Sequence, residues 1–380
     1  MSLVTFLGIY FVREAGIALA TVGLAFLCEN LLRGLLAPMF GAWSDRIGRK
    51  PLLLVASLAT AAVLPCFLLV AGPLSLFAWS LAMGVVSAVK MPVGSALLLD
   101  LAPAERRQSV LALNYTVVSI AYTLAVMPAG YVAEQGYGLL AVLSTAGYLL
   151  VAALYVFGLR GALPLEPSRS EQGFRTDLLS AFTDKTFLGF AAIAFIFPFS
   201  MGLVAFVSPL FAADRGLGEG FIGLVLGANS IIVALLAVPT ATRMEIAGPF
   251  RWLGWAALFV AACFACYAWI PHAGAALIAG TVIFSFGELV FSSAVPAAVA
   301  RLAPPGRRGA YQGGWTLVGS FSMGSALFFS GLLRESVGWQ NAWLIYGGLT
   351  LAAAVVLFLY RREFKSVSDS RNAARSAASS

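Results

Sequence analysis

The chain has 380 residues, 60% of them apolar and only 11% charged, with a mean hydropathy of +0.90. Soluble domains carry about 25% charged residues, so this chain has too little polar side chain to cover a water-facing surface, and a soluble or merely anchored enzyme is excluded. The formal charge of +7 raises nucleic acid or an anionic surface as a partner, a question that the placement of the charges decides.

Apolar runs of about 20 residues predict membrane-spanning helices, because a backbone in lipid must satisfy its own polar groups, and an outer-membrane barrel would instead alternate apolar and polar residues. Spans are expected near 15–42, 51–71, 74–100, 109–132, 137–159, 186–211, 220–242, 250–270, 274–300, 311–333 and 339–360. The fold class is therefore an all-α membrane protein. The chain also repeats itself at an offset of 200 to 201: Gly23-Leu24 matches Gly223-Leu224, and Leu35-Leu36-Ala37 matches Leu235-Leu236-Ala237. Leu101-Ala102-Pro103 with Arg106-Arg107 recurs as Leu302-Ala303-Pro304 with Arg307-Arg308, and Gly130 pairs with Gly331. A repeat this long is half a transporter rather than a solenoid unit.

The second half starts its first span near Thr186, so the offset puts the matching start about fourteen positions before Met1. Residues 1–12 reach only about 18 Å as a helix, against a hydrocarbon core of about 30 Å. The expectation is a first helix truncated at its cytoplasmic end, and the eleven spans above are numbered 2 to 12. The first segment lacks the charged start and cleavage site of a signal peptide. The organisation expected is an N-terminal bundle over 1–159, a cytoplasmic linker over 160–185, a C-terminal bundle over 186–360 and a polar cytoplasmic tail over 361–380.

Alternate loops collect nineteen Lys and Arg residues, among them Arg46, Arg49, Lys50, Arg106, Arg107, Arg307 and Arg308, against Arg13, Arg215 and Arg334 on the other side. This asymmetry places the first set, the linker and the C-terminus in the cytoplasm, and marks the basic excess as a topology signal with no nucleic-acid partner. Cys28, Cys66, Cys263 and Cys266 all fall inside spans, so no disulfide framework is implied. Cys263 and Cys266 lack the second pair or the histidine that a metal site needs. No metal, cofactor or nucleotide-binding loop is expected.

After helix 2 the chain reads Gly41-Ala42-Trp43-Ser44-Asp45-Arg46-Ile47-Gly48-Arg49-Lys50-Pro51. This resembles the loop 2-3 signature of the major facilitator superfamily, G-x-x-x-D-R-x-G-R-[KR], and the halves and loop charges extend the likeness to the whole chain. The resemblance implies two pseudo-symmetric six-helix bundles that rock about a central site. It also implies that Gly41 lets helix 2 approach helix 11, and that Asp45 and Arg49 form a latch with an acidic residue ending helix 4, here Asp100. The second copy, around Glu245 and Gly248, has lost most of the motif. Among the subtypes the chain is most similar to the 12-helix drug:proton antiporters, with two departures. Ser80 stands where many have an arginine before Gly84, and only Met127-Pro128-Ala129-Gly130 remains of the helix 5 motif.

Glu29 and Arg33 in helix 2, Lys90 in helix 4 and Glu288 in helix 10 lie well inside spans. Each costs about 2.5 to 3.5 kcal/mol at the bilayer centre, so each must face protein or water. Glu29 and Arg33 are four apart and can neutralise each other or serve the site. Lys90 and Glu288 sit at nearly matching depths of the two repeats, within a helix turn after the offset, and the family architecture puts helices 4 and 10 on the cavity. They are either a buried structural pair or a proton and substrate site with Lys90 as counter-charge. Asn114, Tyr115, Ser119 and Tyr122 give helix 5 a polar aromatic stripe, Trp315 and Ser322 mark helix 11, and Phe199 lies in helix 7. A lumen of aromatics and few charges suits amphipathic organic compounds. The reading is a secondary active transporter of the inner (plasma) membrane, acting as a monomer, that couples proton movement to efflux of small amphipathic molecules. The alternatives are an uptake permease for a small organic anion bound by Lys90 and Arg33, and a non-transporting sensor or inactive paralogue.

Overall fold

The computed structural model describes residues 2–102, 107–158, 181–247, 249–304 and 307–379. The expectations for Arg106, Gly248 and most of the 160–185 linker fall outside the described residues, as do those for the side chains of Asp45, Tyr115 and Glu245.

Every described element is a helix. α1 runs Ser2–Ile9 and continues as a π turn, Tyr10–Glu14. α2 is Leu19–Ile47, and α3 is Arg49–Val63 with a 3-10 extension over Leu64–Leu69. α4 has two segments, Pro73–Ser87 and Lys90–Leu101. α5 is Arg107–Gln135 and α6 is Tyr137–Gly158. α7 covers Lys185–Asp214, α8 Glu219–Ala247, α9 Pro249–Trp269 and α10 Ala273–Leu302. The helix Arg308–Ser379 bends at Gly338 into two limbs, α11 over 308–337 and α12 over 339–379. Among the described residues ten helices are long and apolar enough to cross a membrane, and the last of these contains both α11 and α12. All eleven expected spans are therefore present.

Local chemistry explains where the helices bend. Proline cannot accommodate the carbonyl four residues before it, and α4 breaks at Ala88, four before Pro92. α7 breaks in the same way near Ala194 before Pro198, and again in a π segment, Leu203–Val207, before Pro209. Gly48 has φ +97° and Gly338 φ +77°, conformations that L side chains rarely adopt, and each turns one span into the next.

The chain forms two compact units. Unit 1 comprises Met1–Glu171 with Gly218–Gly227 and Gly324–Leu332. Its core holds Phe11, Phe67 and Trp79, with the Phe11 and Trp79 ring centroids 5.5 Å apart, and a second cluster of Leu52, Leu53, Ala56, Val89, Val93 and Leu97. Helices touch backbone to backbone where glycine removes the side chain. A methyl at Gly84 would stand 2.9 Å from the Glu29 carbonyl oxygen, and one at Gly223 would stand 2.8 Å from that of Val126. Methyls at Gly23, Gly130 and Gly331 would overlap the backbones of Phe328, Glu219 and Ala20. α2 thus crosses residues 324–332 through Gly23 and Gly331, and α5 crosses residues 218–227 through Gly223 and Gly130, so the repeat maps the glycines of one crossing onto those of the other.

Unit 2 comprises Gln172–Leu217, Ala228–Met323 and Leu333–Ser380. Its core is aromatic: the buried Trp343 packs on Tyr267, Phe211 and Phe264 at ring-centroid distances of 4.9, 5.5 and 5.6 Å. Asp184 caps α7 by accepting from the Thr186 and Phe187 amides, and its other oxygen takes Tyr311 Oη at 2.7 Å and Arg371 at 2.8 Å. Burial pushes this carboxyl up, but the bonds from Tyr311 and Arg371 and the Arg371 charge outweigh it and hold it below the usual carboxylate value. Outward-facing positions such as Leu69, Leu150, Leu235 and Leu359 are exposed, more apolar surface than water tolerates and what lipid requires.

Candidate functional site

In unit 1, helical spacing puts Glu29, Asn30 and Arg33 on neighbouring turns of α2. Glu29 and Asn30 are buried, Arg33 donates to Asn30 Oδ1, and Asn30 Nδ2 donates to the Phe26 carbonyl at 2.8 Å. Lys90 opens the second segment of α4, and its ammonium lies 4.1 Å from the centroid of the Tyr148 ring. Glu29 feels the charges of both Arg33 and Lys90. The carboxylate of Lys90 within its own unit is therefore Glu29. Gly84 allows this cluster, since any side chain there would push α4 off the Glu29 backbone.

In unit 2, α10 buries Glu288, whose Oε2 accepts from Asn229 Nδ2 of α8 at 3.0 Å. Asn229 Oδ1 accepts in turn from Ser285 Oγ at 2.6 Å. Glu288 makes no ion pair among the described residues of its unit. Such a carboxyl can take up and release a proton with only an amide hydrogen bond to rearrange. Asn30, Tyr148, Asn229 and Ser285 were not expected from the sequence. The signal for Asn229 was available, because an offset of 200 from Glu29 lands on it.

At the loop motif, Arg49 Nε donates to Asp100 at 3.0 Å, and the same guanidinium donates to Ser44 Oγ. Lys50 reaches the Val156 carbonyl at 3.3 Å, near the C-terminus of α6, where a cation is favoured. Arg46 is exposed, and Gly48 supplies the turn. A methyl at Gly41 would meet Pro92 Cβ at 3.9 Å, an ordinary contact, so the tight glycine crossings of α2 are at Gly23 and Gly84.

The expected cavity residues divide. Tyr122 Oη lies 3.3 Å from Thr5 Oγ1 of α1, and Asn114 and Ser119 are half-buried on α5. Ser322 donates to the Phe195 carbonyl at 2.6 Å, satisfying an acceptor at the α7 break. Phe199 is buried between Phe195 and Tyr346, so both belong to packing inside unit 2. Trp315 is half-buried.

The family model described as Major Facilitator Superfamily matches residues 1–287 and 190–379. The chain belongs to the major facilitator superfamily. It is a multi-pass membrane protein, a secondary transporter of that type with a small-molecule substrate, and not an enzyme. An uncharacterized MFS-type transporter of Bacillus subtilis (strain 168), YqjV, is 25% identical over 378 residues, covering 94% of this chain and 89% of its own length. A Na(+), Li(+), K(+)/H(+) antiporter of Planococcus maritimus is 28% identical over 344 residues, covering 80% of this chain and 79% of its own. Among solved structures, a mutant of the nucleoside transporter NupG aligns with a TM-score of 0.79 at 16% identity, covering 94% of this chain and 95% of that one. A POT family transporter in complex with 5-aminolevulinic acid gives 0.77 at 14%, covering 96% and 93%. At these identities the structures speak for the fold alone.

Proposed function

We propose that this superfamily member is a proton-coupled antiporter of the plasma membrane that exports a small amphipathic compound by alternating access. The observation that carries the reading is Glu288: a buried carboxyl with a neutral amide partner, where the other buried carboxyl among the described residues, Glu29, has Arg33 and Lys90 beside it. Protonation of Glu288 changes the charge of unit 2 at midspan, and a carrier whose two access states solvate that carboxyl differently links proton binding to access. Arg33 and Lys90 place two positive charges beside Glu29 in unit 1 and line the substrate path. Loop 2-3, the linker and the C-terminus face the cytoplasm in this reading, from the asymmetry of Lys and Arg. Asp45, Gly41 and Arg49 with Asp100 steady that side during the cycle, and the protein works as a monomer.

A second reading is supported by the antiporter of Planococcus maritimus together with the oxygens of Glu288, Asn229 and Ser285: the exchanged species is a monovalent metal cation. Oxygen donors of this kind suit a hard cation. Proteoliposomes with an imposed pH gradient and a trapped pH-sensitive dye separate the two. Proton movement on adding lipophilic organic cations supports the first reading, movement on adding Na+, Li+ or K+ supports the second, and no movement with either overturns antiport. Cysteines introduced beside Pro73 and His272 should react with impermeant reagents from outside, which tests the orientation.

A further inference from the structure

Unit 2 has a groove of about 540 Å³ between α7 and α12, lined by Lys185, Thr186, Gly189 and Ile193 on one side and by Val356, Tyr360, Glu363 and Phe364 on the other. It lies at the start of α7 and where the apolar stretch of α12 ends. Lys185 is the first residue of the α7 span, and Tyr360 and Glu363 sit where the apolar stretch of α12 gives way to Arg361 and Arg362. That is the level at which lipid headgroups meet tyrosine rings and basic side chains. Toward the membrane interior the walls are Gly189, Ile193 and Val356, and a methyl at Gly189 would touch nothing within 4 Å, so the groove stays open where an acyl chain would run. Toward water it carries one cation and one anion. Lys185 and Glu363 are exposed and line the same groove, yet they form no ion pair with each other or with any other described residue.

The geometry points to a binding site for a zwitterionic aminophospholipid of the phosphatidylethanolamine type, phosphate on Lys185 and primary ammonium on Glu363, with an acyl chain along Gly189, Ile193 and Val356. Charge complementarity selects this occupant. An anionic lipid such as phosphatidylglycerol satisfies Lys185 but brings its phosphate against the Glu363 carboxylate. Phosphatidylcholine has both charges but no N–H to donate to Glu363. Thr186 and Tyr360 add hydroxyls at the same level, and the buried Phe364 closes the floor by packing on Phe190 and Phe250. The site is separate from Glu288 and does not depend on the direction or substrate of transport.

The test is native mass spectrometry of the purified full chain, titrated separately with dioleoyl forms of phosphatidylethanolamine, phosphatidylcholine and phosphatidylglycerol. The first equivalent of phosphatidylethanolamine should bind about fivefold tighter than either of the others, the scale of an exposed ion pair. Glu363→Gln should bring phosphatidylethanolamine down to the phosphatidylcholine level and strengthen phosphatidylglycerol. Lys185→Gln should weaken all three, and Gly189→Leu should remove the tight first equivalent by filling the groove. Both charged residues are exposed, so these variants fold as the parent does, which an unchanged unfolding temperature would document. Equal affinity for the three lipids, tightest binding of phosphatidylglycerol, or a Glu363→Gln protein that keeps its preference would each overturn the assignment.

Discussion

Glu29 and Glu288 are both buried carboxylates, one in each unit, and they keep different company. Glu29 shares its surroundings with Arg33 and Lys90, and Asn30 takes a hydrogen bond from the Arg33 guanidinium. Glu288 has Asn229 and, behind it, Ser285. The repeat makes the difference instructive, because an offset of 200 aligns Glu29 with Asn229, while Lys90 and Glu288 come within a helix turn of each other after the offset. Unit 1 thus has a carboxylate where the repeat gives unit 2 an amide. Glu29 has two cations for neighbours, whereas Glu288 has an amide partner. The two buried carboxyls thus sit in different electrostatic surroundings, cationic for Glu29 and neutral for Glu288.

The comparison breaks most readily at Glu288. Glu288→Gln should reduce pH-gradient-driven transport in proteoliposomes to the protein-free background while leaving folding and substrate exchange intact, because glutamine keeps the shape and the contact with Asn229. Uphill transport by this variant would remove the proton role. Glu29→Gln should act differently, on stability first. It leaves Arg33 and Lys90 without the carboxylate whose charge both feel, which should lower the unfolding temperature. Adding Lys90→Met should restore a large part of that loss in thermal unfolding. A Glu29→Gln protein as stable as the parent would mean that unit 1 is no more anchored than unit 2.

All eleven spans, the repeat and the family motif were legible because each leaves a linear mark: a long apolar run, a fixed offset, a fixed spacing. The buried charges were legible for the same reason, since Glu29, Arg33, Lys90 and Glu288 stand out in apolar sequence. Their partners were not. Nothing linear says that Lys90 meets Tyr148 and Glu29, or that Ser322 spends its hydroxyl on the Phe195 carbonyl, because those depend on helix rotation and on breaks set by Pro92 and Pro198. Phe199 shows the same limit: an aromatic at helical spacing reads equally well as cavity wall or core, and packing against Tyr346 places it in the core.

The glycines stay symmetrical where the charges have diverged, which offers a sharper control. Gly23 and Gly223 are related by the repeat, and each stands at a backbone-to-backbone crossing in unit 1, whereas Gly41 has room for a methyl. Gly23→Ala and Gly223→Ala should each cost about 1 to 3 kcal/mol by overpacking, and Gly41→Ala should be neutral. Similar losses at all three positions in thermal unfolding would show that flexibility rather than close approach is what these glycines provide.

The smallest effects should separate the ion pairs at the loop ends of the two units. In unit 1, Arg49 binds Asp100, whose side chain is 44% exposed; in unit 2, Arg371 binds Asp184, which is 14% exposed and also holds Tyr311. An exposed pair is worth less than about 1 kcal/mol, so Asp100→Asn should barely move the unfolding temperature. Asp184→Asn should move it further, and asparagine is the informative replacement because its oxygen still caps α7 while the charge and the acceptor for Tyr311 and Arg371 are lost. The pH dependence has a definite sign. The Asp184 carboxyl is held below its usual value in the folded protein, so its contribution is complete above the ordinary carboxylate value and is lost as pH falls through the lowered one. The stability gap between parent and Asp184→Asn should therefore be present at neutral pH and close on acidification, while the Asp100→Asn gap stays small throughout. A gap that stays open in acid would show that the pairing of the Asp184 charge with Arg371 is not its source.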